Sequence, residues 1–477
     1  MGKFKLLSNS TAVLITRLAQ SVTAFALTAA IARILGAYQL GQYLLAFSYY
    51  FLFVNVVSQG LKVLLTRELA RNPQDTPVCL TNGTLLQFVL SILGYLALIA
   101  VVFVLPYSPD TTIICYVMGL SIIPFALSNI TEAVLQAQEK MHLIAIACVP
   151  IYILRVFVMI WAMQFGYGVN YLAVIMAVSE LLILIAEWFF ILPNIKLKWK
   201  IRPNYIRKII IDARVFFAIE GIAVFNSRVQ IILLSLLGNE LMVGVYGAIV
   251  QLMQPFLIVA NSVAVAVFPA MSKVVALKEK QRELTESVIE MLLIMALPFF
   301  VGLLFFGDPL MNLVYGGRGF DNTGIPLAIA ALYIPLIAFY RPLSFLLMAN
   351  GHEKLNMQEV IVTTMIGSLL GVFLISKCEL IGAALMYALM SISSFVQYVT
   401  AVQSRLFRLQ WWQVSRRSIL VSSLMTIIFL VLKQFNVGFI QVLLVSLVSY
   451  GVIAGFIFLS ILRRSNKLPF KLFAKKL

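Results

Sequence analysis

Apolar stretches of twenty residues or more recur along the whole 477-residue chain, and nothing else in the sequence constrains the fold as strongly. A helix needs roughly 20 predominantly apolar residues to cross the hydrocarbon of a bilayer. Polar punctuation divides the chain into fourteen such stretches, approximately 10–36, 40–66, 78–105, 112–137, 142–165, 170–193, 209–237, 241–270, 285–306, 323–349, 356–376, 380–402, 418–434 and 438–462. The composition agrees. The chain is 62% hydrophobic and 12% charged with a mean hydropathy of +0.99, whereas an ordinary globular domain is about 45–50% apolar and about 25% charged. Transmembrane strands would alternate apolar and polar residues over about 10 positions, which the stretches do not do. The expectation is an all-α polytopic membrane protein of about 14 transmembrane helices. Arg17, Gln20 and Ser21 interrupt the first stretch, so it reads as an uncleaved span rather than a signal peptide.

An even number of crossings puts both termini on one side. Of the 36 Lys and Arg residues, 27 fall in the connections on that side and three (Arg318, Lys377, Lys433) in those opposite. By the positive-inside rule both termini are expected in the cytoplasm. The same distribution accounts for the net charge of +17, because the charges lie next to the membrane, and nucleic acid is not expected as a partner. Four scattered cysteines and two histidines, His142 and His352, offer neither a disulfide framework nor the spacing of a metal site.

One sentence of the sequence is written twice. Residues 32–47 read ARILGAYQLGQYLLAF and residues 233–249 read LLSLLGNELMVGVYGAI; each carries Leu-Gly, then four or five residues, then Gly-x-Tyr. Both fall at an expected outer turn, between spans one and two and between spans seven and eight. A second echo pairs LQAQEKMHL (135–143) with LMANGHEKLN (347–356), setting Lys140 against Lys354. Two six-helix lobes follow, 1–205 and 206–405, with two additional transmembrane helices and a basic tail in 406–477. Internal repeats of this kind are a transporter signature, with substrate held between repeats that rock to alternate access.

Ionisable residues inside spans face protein or water, since an arginine at a helix centre costs roughly 2.5 to 3.5 kcal/mol on insertion scales. Arg17, Arg155, Arg228 and Arg341 lie well inside spans, as do Glu180, Glu187 and Glu220. Arg17, Gln20, Ser21 and Thr28 share one helical face and make a polar stripe suited to a cavity wall. Guanidinium is the natural fork for phosphate oxygens, so Arg17, Arg155, Arg228 and Arg341, with Gln20, are the candidate contacts for an anionic substrate. Arg17 precedes Gly36 by 19 residues and Glu220 precedes Gly238 by 18, a matched depth that makes the two a candidate gating ion pair. Glu180 and Glu220 are the candidates for coupling to a proton or sodium gradient. No phosphate-binding loop of the G-x-x-x-x-G-K-[ST] type occurs, and no cofactor is expected.

ARILGAYQLGQY, TRELARN (66–72), LQAQEK, the run from Gly244 to Lys273, LVYGGRGFDN (313–322) and IGAALMYAL (381–389) together resemble one family. It is the polysaccharide transporter, or O-antigen flippase, branch of the multidrug/oligosaccharidyl-lipid/polysaccharide exporter superfamily. The resemblance implies two six-helix lobes around a central cationic cavity. It also implies that an undecaprenyl-pyrophosphate-linked oligosaccharide crosses the bacterial inner membrane from the cytoplasmic to the periplasmic leaflet. The partners it implies are the lipid-linked oligosaccharide, the bilayer, and a polysaccharide polymerase with its chain-length regulator. Many relatives carry an aspartate two residues after the arginine of span seven, where this chain has Gln230. The rivals are a multidrug antiporter of the same superfamily and a membrane glycan polymerase or ligase. The second would need catalytic carboxylates or histidine in a large outer loop, and the longest, 307–322, has only Asp308, Arg318 and Asp321.

Overall fold

The computed structural model describes residues 3–58, 60–194, 201–316 and 319–434, with single residues and short pieces between 441 and 455; of 3–14, 194, 208, 212–220, 433 and 434 it describes the backbone alone. The described residues are helical, with no strand among them. The helices are α1 (Lys3–Leu35), α2 (Ala37–Ser58), α3 (Leu61–Arg71), α4 (Thr76–Val104), α5 (Pro109–Gly119), α6 (Ile122–Ala137), α7 (Met141–Gln164), α8 (Val169–Ile191), α9 (Pro203–Leu237), α10 (Glu240–Lys273), α11 (Lys278–Tyr315), α12 (Gly324–Ala331), α13 (Tyr333–Ala349), α14 (Glu353–Arg405) and α15 (Trp411–Gln434).

This is a multi-pass membrane protein. Eleven described segments are long and apolar enough to cross a bilayer, three of them made of two helices in succession (37–71, 109–137 and 324–349). The 53-residue α14 breaks at Glu379 (φ 49°) and so provides two of the expected crossings. The apolar stretch Gly221–Leu237 of α9 corresponds to the seventh. Only the fourteenth expected span, 438–462, lies largely outside the described residues.

Residues group into two compact units. The first comprises 1–251, 314–321 and 371–383, and so runs through the whole seventh span. In it α1 packs along α7, α4 and α3 against α6, α7 and α6 against α8, and α2 against α5 and α9. Its apolar core includes Leu64, Leu65, Cys79, Leu80, Ile130 and Ile183, each nearly inaccessible. The second comprises 252–313, 322–370 and 384–477. There α15 is fastened to α11 by the Arg417–Glu290 ion pair (2.9 Å), by the Gln410 N–H donated to Glu286 Oε1 (2.9 Å), and by Val421, Met425 and Phe429 packing on Phe305 and Phe306.

The duplicated motif has a structural reason. Leu35-Gly36 ends α1: Gly36 takes a φ of 91°, open to glycine at little cost, and its N–H bonds back to the Ile31 and Ala32 carbonyls. Leu237-Gly238 ends α9, with the Gly238 N–H on the Leu234 carbonyl at 2.9 Å. The second copy is one residue longer because Asn239 is interposed as a cap, its Oδ1 accepting the Met242 N–H at 3.0 Å. Counted from the helix starts Ala37 and Glu240, Gly41 and Gly244 therefore hold the same position. They meet reciprocally. A Cβ on Gly41 would lie 1.6 Å from the Glu240 carbonyl oxygen, and one on Gly244 would lie 1.9 Å from that of Ala37. Glycine at both sites lets two backbones touch where no side chain fits.

The second echo is also built into the chain, two residues out of the expected register. Glu139 (φ 59°) and Gly351 (φ 75°) take the left-handed conformation, and the next residues, Lys140 and His352, donate their N–H to Leu135 and Leu347 at 2.8 and 2.9 Å. Lys140 is thus equivalent to His352, not to Lys354, because backbone turn geometry and not the Glu-Lys pair carries the repeat.

Candidate functional site

The first unit contains a cavity of about 390 Å³ walled by α1, α2, α6, α7 and α8. Gln20, Thr23, Ala24 and Leu27 supply its α1 wall; of the expected stripe of Arg17, Gln20, Ser21 and Thr28, Gln20 alone lines it. Gln20 Nε2 donates to the Tyr152 hydroxyl at 2.9 Å. Tyr43, Phe47, Tyr50 and Phe51 from α2 also line it, as do Arg155 from α7 and Glu180 from α8. Tyr43 is the tyrosine of the duplicated Gly-x-Tyr, so the Gly41 crossing also fixes where α2 stands.

The candidate arginines prove to be held in four different ways. Arg155 donates to Glu180 Oε1 at 2.6 Å, with side chains only 11% and 4% exposed, and its guanidinium lies 5.3 Å above the Tyr152 ring. Glu180, a candidate for ion coupling, is thus held in an ion pair. Arg228, from α9, lies 4.6 Å over the Phe51 ring and 5.5 Å over Phe47, two of the rings that wall the cavity. Its Nε has no hydrogen-bond partner, and among the described residues no carboxylate lies in ion-pair range of it. Ring quadrupoles attract a desolvated cation by about 2 kcal/mol or more, which positions the charge without neutralising it. Arg341, in the second unit, donates Nε and an Nη to Asn261 Oδ1 at 3.0 and 2.6 Å and lies over Phe345. Arg17 is exposed on α1, one turn before Gln20. The side chain of Glu220 lies outside the described residues, and with it the proposed Arg17–Glu220 gate.

Two buried carboxylate clusters were not among the candidate site residues. In the first unit Glu187 accepts the Thr131 hydroxyl and lies 3.8 Å from the Cys148 Sγ, while Glu132 beside it is paired with Lys62. Ligand atoms of Glu132, Cys148 and Glu187 all fall within 4.8 Å of one another, a spacing a metal could use, but the Lys62 ammonium already occupies Glu132. In the second unit Glu359 is held by Thr363, Ser394 and Tyr398. In the sequence Glu132 and Glu187 stand out as acids inside apolar stretches, whereas Glu359 follows the mostly polar run 353–358, and the hydroxyl partners of Glu187 and Glu359 on other helical segments are not legible there.

Comparison with known proteins decides the family. A family profile described as polysaccharide biosynthesis protein matches residues 30–318. The chain belongs to that family. Among solved structures, this polysaccharide biosynthesis protein matches the lipid II flippase MurJ in an inward closed conformation, with a TM-score of 0.75 and 17% identity over 95% of this chain and 99% of that one. It also matches an inward-facing multidrug resistance MATE transporter of the MOP superfamily, with a TM-score of 0.64 and 14% identity over 81% and 95%. A third match is a MOP superfamily transporter from Pyrococcus furiosus whose binding pocket is described as reversed in polarity, with a TM-score of 0.58 and 13% identity over 87% and 96%. These likenesses show that the chain shares the fold of these transporters. No curated protein sequence matches the chain.

Proposed function

We propose that the protein is a flippase that moves a polyprenyl (undecaprenyl) pyrophosphate-linked oligosaccharide repeat unit from the cytoplasmic to the periplasmic leaflet of the inner membrane, by alternating access. The unit would feed synthesis of a cell-surface polysaccharide, with a polymerase and chain-length regulator acting downstream. Membership of a polysaccharide biosynthesis family supports the pathway, and a fold shared with a lipid II flippase supports the type of cargo. The single observation that carries the headgroup is Arg228. A guanidinium held by two aromatic faces, beside a cavity that Gln20, Arg155 and Glu180 also line, keeps its charge and its donors for a ligand, and phosphate is the anion its fork fits best. The protein acts as a carrier and not an enzyme, driven by an ion gradient.

The test is sided. Cells lacking the protein are converted to spheroplasts, and an impermeant probe reports which leaflet holds the polyprenyl-linked oligosaccharides. Single repeat units should accumulate on the cytoplasmic side, relieved by the wild type and not by Arg228→Ala. Units exposed outside would indicate a polymerase or ligase defect, and no accumulation would move the reading to multidrug antiport.

A further inference from the structure

Helices α7 and α8 carry a second rung that the flippase reading does not use. Cys148 lies seven residues before Arg155 on α7, and Glu187 lies seven residues after Glu180 on α8, two turns along the same faces. Cys148 Sγ meets Glu187 Oε1 at 3.8 Å. Helix α6 closes the third side with Ser128, Thr131 and Glu132 on one face. Thr131 donates its hydroxyl to Glu187 Oε2, and Lys62 from α3 donates to Glu132 Oε2, so that ion pair uses one of the two Glu132 oxygens. One ligand atom from each of Glu132, Cys148 and Glu187 lies within 4.8 Å of the other two. Glu187 and Cys148 are enclosed, at 0% and 1% exposure, and the partly exposed Lys62 and Glu132 form the accessible side.

Charge, donor type and spacing ask for the same kind of ion. Lys62 sets one positive charge against two carboxylates, and the net negative charge left in an enclosed site is costly. A divalent ion that takes Cys148 as its thiolate balances the group, because two positive charges from the ion and one from Lys62 then meet three negative ones. A thiol beside two carboxylates suits a borderline metal such as zinc, whereas calcium and magnesium take oxygen alone. With metal–oxygen and metal–sulfur distances of about 2.0 and 2.3 Å, a tetrahedral ion sets its ligand atoms roughly 3.5 Å apart. The Cys148–Glu187 separation of 3.8 Å is close to that. Ser128 is 4% exposed, and its Oγ is directed at Glu187 but reaches no hydrogen-bond partner among the described residues. A buried hydroxyl left over beside the group is placed to hold a fourth ligand.

We propose that the protein binds one divalent metal ion of the zinc class through Cys148 Sγ, Glu187 and Glu132, with a water held by Ser128 in the fourth position and Lys62 remaining on Glu132. Cys148 releases its thiol proton to solvent on binding, and Thr131 orients Glu187 as an outer partner. The ion ties α6, α7 and α8 together two turns from the Arg155–Glu180 pair. Binding does not depend on the cargo and stands apart from the flippase reading.

The test is metal binding by the purified full-length protein in detergent, tag-free and reduced, stripped with a chelator and dialysed against zinc, with cobalt as the spectroscopic probe. Wild type should retain one zinc per chain and, with cobalt, show a thiolate-to-metal charge-transfer band. Cys148→Ser should lose the band, and Glu187→Gln should weaken zinc binding by at least about 10-fold. Ser128→Ala should weaken it several-fold, and Cys378→Ser, which removes the exposed cysteine, should change nothing. Wild type without zinc after dialysis, or a cobalt band that survives in Cys148→Ser, overturns the proposal. Should Cys148→Ser fail to fold, a variant with Cys79, Cys115 and Cys378 all changed to alanine is read instead. The full band there assigns the thiolate to Cys148, and loss of the band overturns the proposal. Arg228→Ala should bind zinc like the wild type, so a failed leaflet assay and a failed metal titration are told apart.

Discussion

Arg155 and Arg228 are both set against aromatic residues of one cavity, yet the first is locked to a carboxylate and the second to two rings. Glu180 and Glu359 repeat the contrast with the sign reversed: one is closed by a guanidinium, the other by hydroxyls alone. An ion pair spends both charges on each other. A ring face or a hydroxyl positions a charge without neutralising it, so under the proposed function the residues expected to meet a ligand are those fixed by neutral partners. Arg341, bonded to the Asn261 amide, belongs with the second kind.

That contrast can be broken most sharply by activity. Arg228→Ala should reduce flipping by at least about 30-fold, the scale of losing one desolvated charge-to-phosphate contact worth about 2 kcal/mol or more; Arg228→Lys should recover only part, lacking the planar fork. Stability should rank the other way. Arg155→Ala leaves Glu180 buried and unpaired and should cost about 3–5 kcal/mol, read as a large fall in the detergent melting midpoint, whereas Arg228→Met should leave that midpoint within a few degrees. An Arg228→Met variant as unstable as Arg155→Ala would show that Arg228 is structural.

The helix crossing gives a smaller effect. Gly41→Ala and Gly244→Ala each push a methyl into a backbone carbonyl, and each should cost about 1–3 kcal/mol through overpacking. The double variant should cost less than the sum, since parting the helices for one relieves the other. Smallest is Tyr152→Phe, which removes the Gln20 partner and should cost about 1 kcal/mol, with little change in the leaflet assay.

Much of the architecture was legible because the bilayer demands it. Long apolar runs specified helices, and their punctuation located thirteen of the fourteen expected spans, with the last largely outside the described residues. The Leu-Gly…Gly-x-Tyr repeat pointed to equivalent turns. That Gly41 and Gly244 touch each other was not readable, because the same letters would serve any two close helices. Helical periodicity singled out Gln20, which lines the first unit's cavity, and the cost of charge in lipid singled out Arg155, which also lines it, Arg228, whose rings do, and Arg341 in the second unit. Their differences were not found: Arg228-Val229-Gln230 and Arg155-Val156 look alike in sequence, and nothing local says that Glu180 faces one and phenyl rings the other. Glu359 was passed over because it sits near a span end, where an acid in sequence looks solvated.

By itself the sequence determined that this chain is a helical bundle in a membrane, internally repeated, with charges it must shelter. Periodicity and apolar length are local properties, and burying polar groups in lipid carries a penalty whatever the partner. Only the tertiary structure decided which charges are spent and which are kept. Pairing depends on side chains from helices far apart in the chain meeting within about 3 Å, as Thr363 and Ser394 meet on Glu359, and local sequence does not encode that distance.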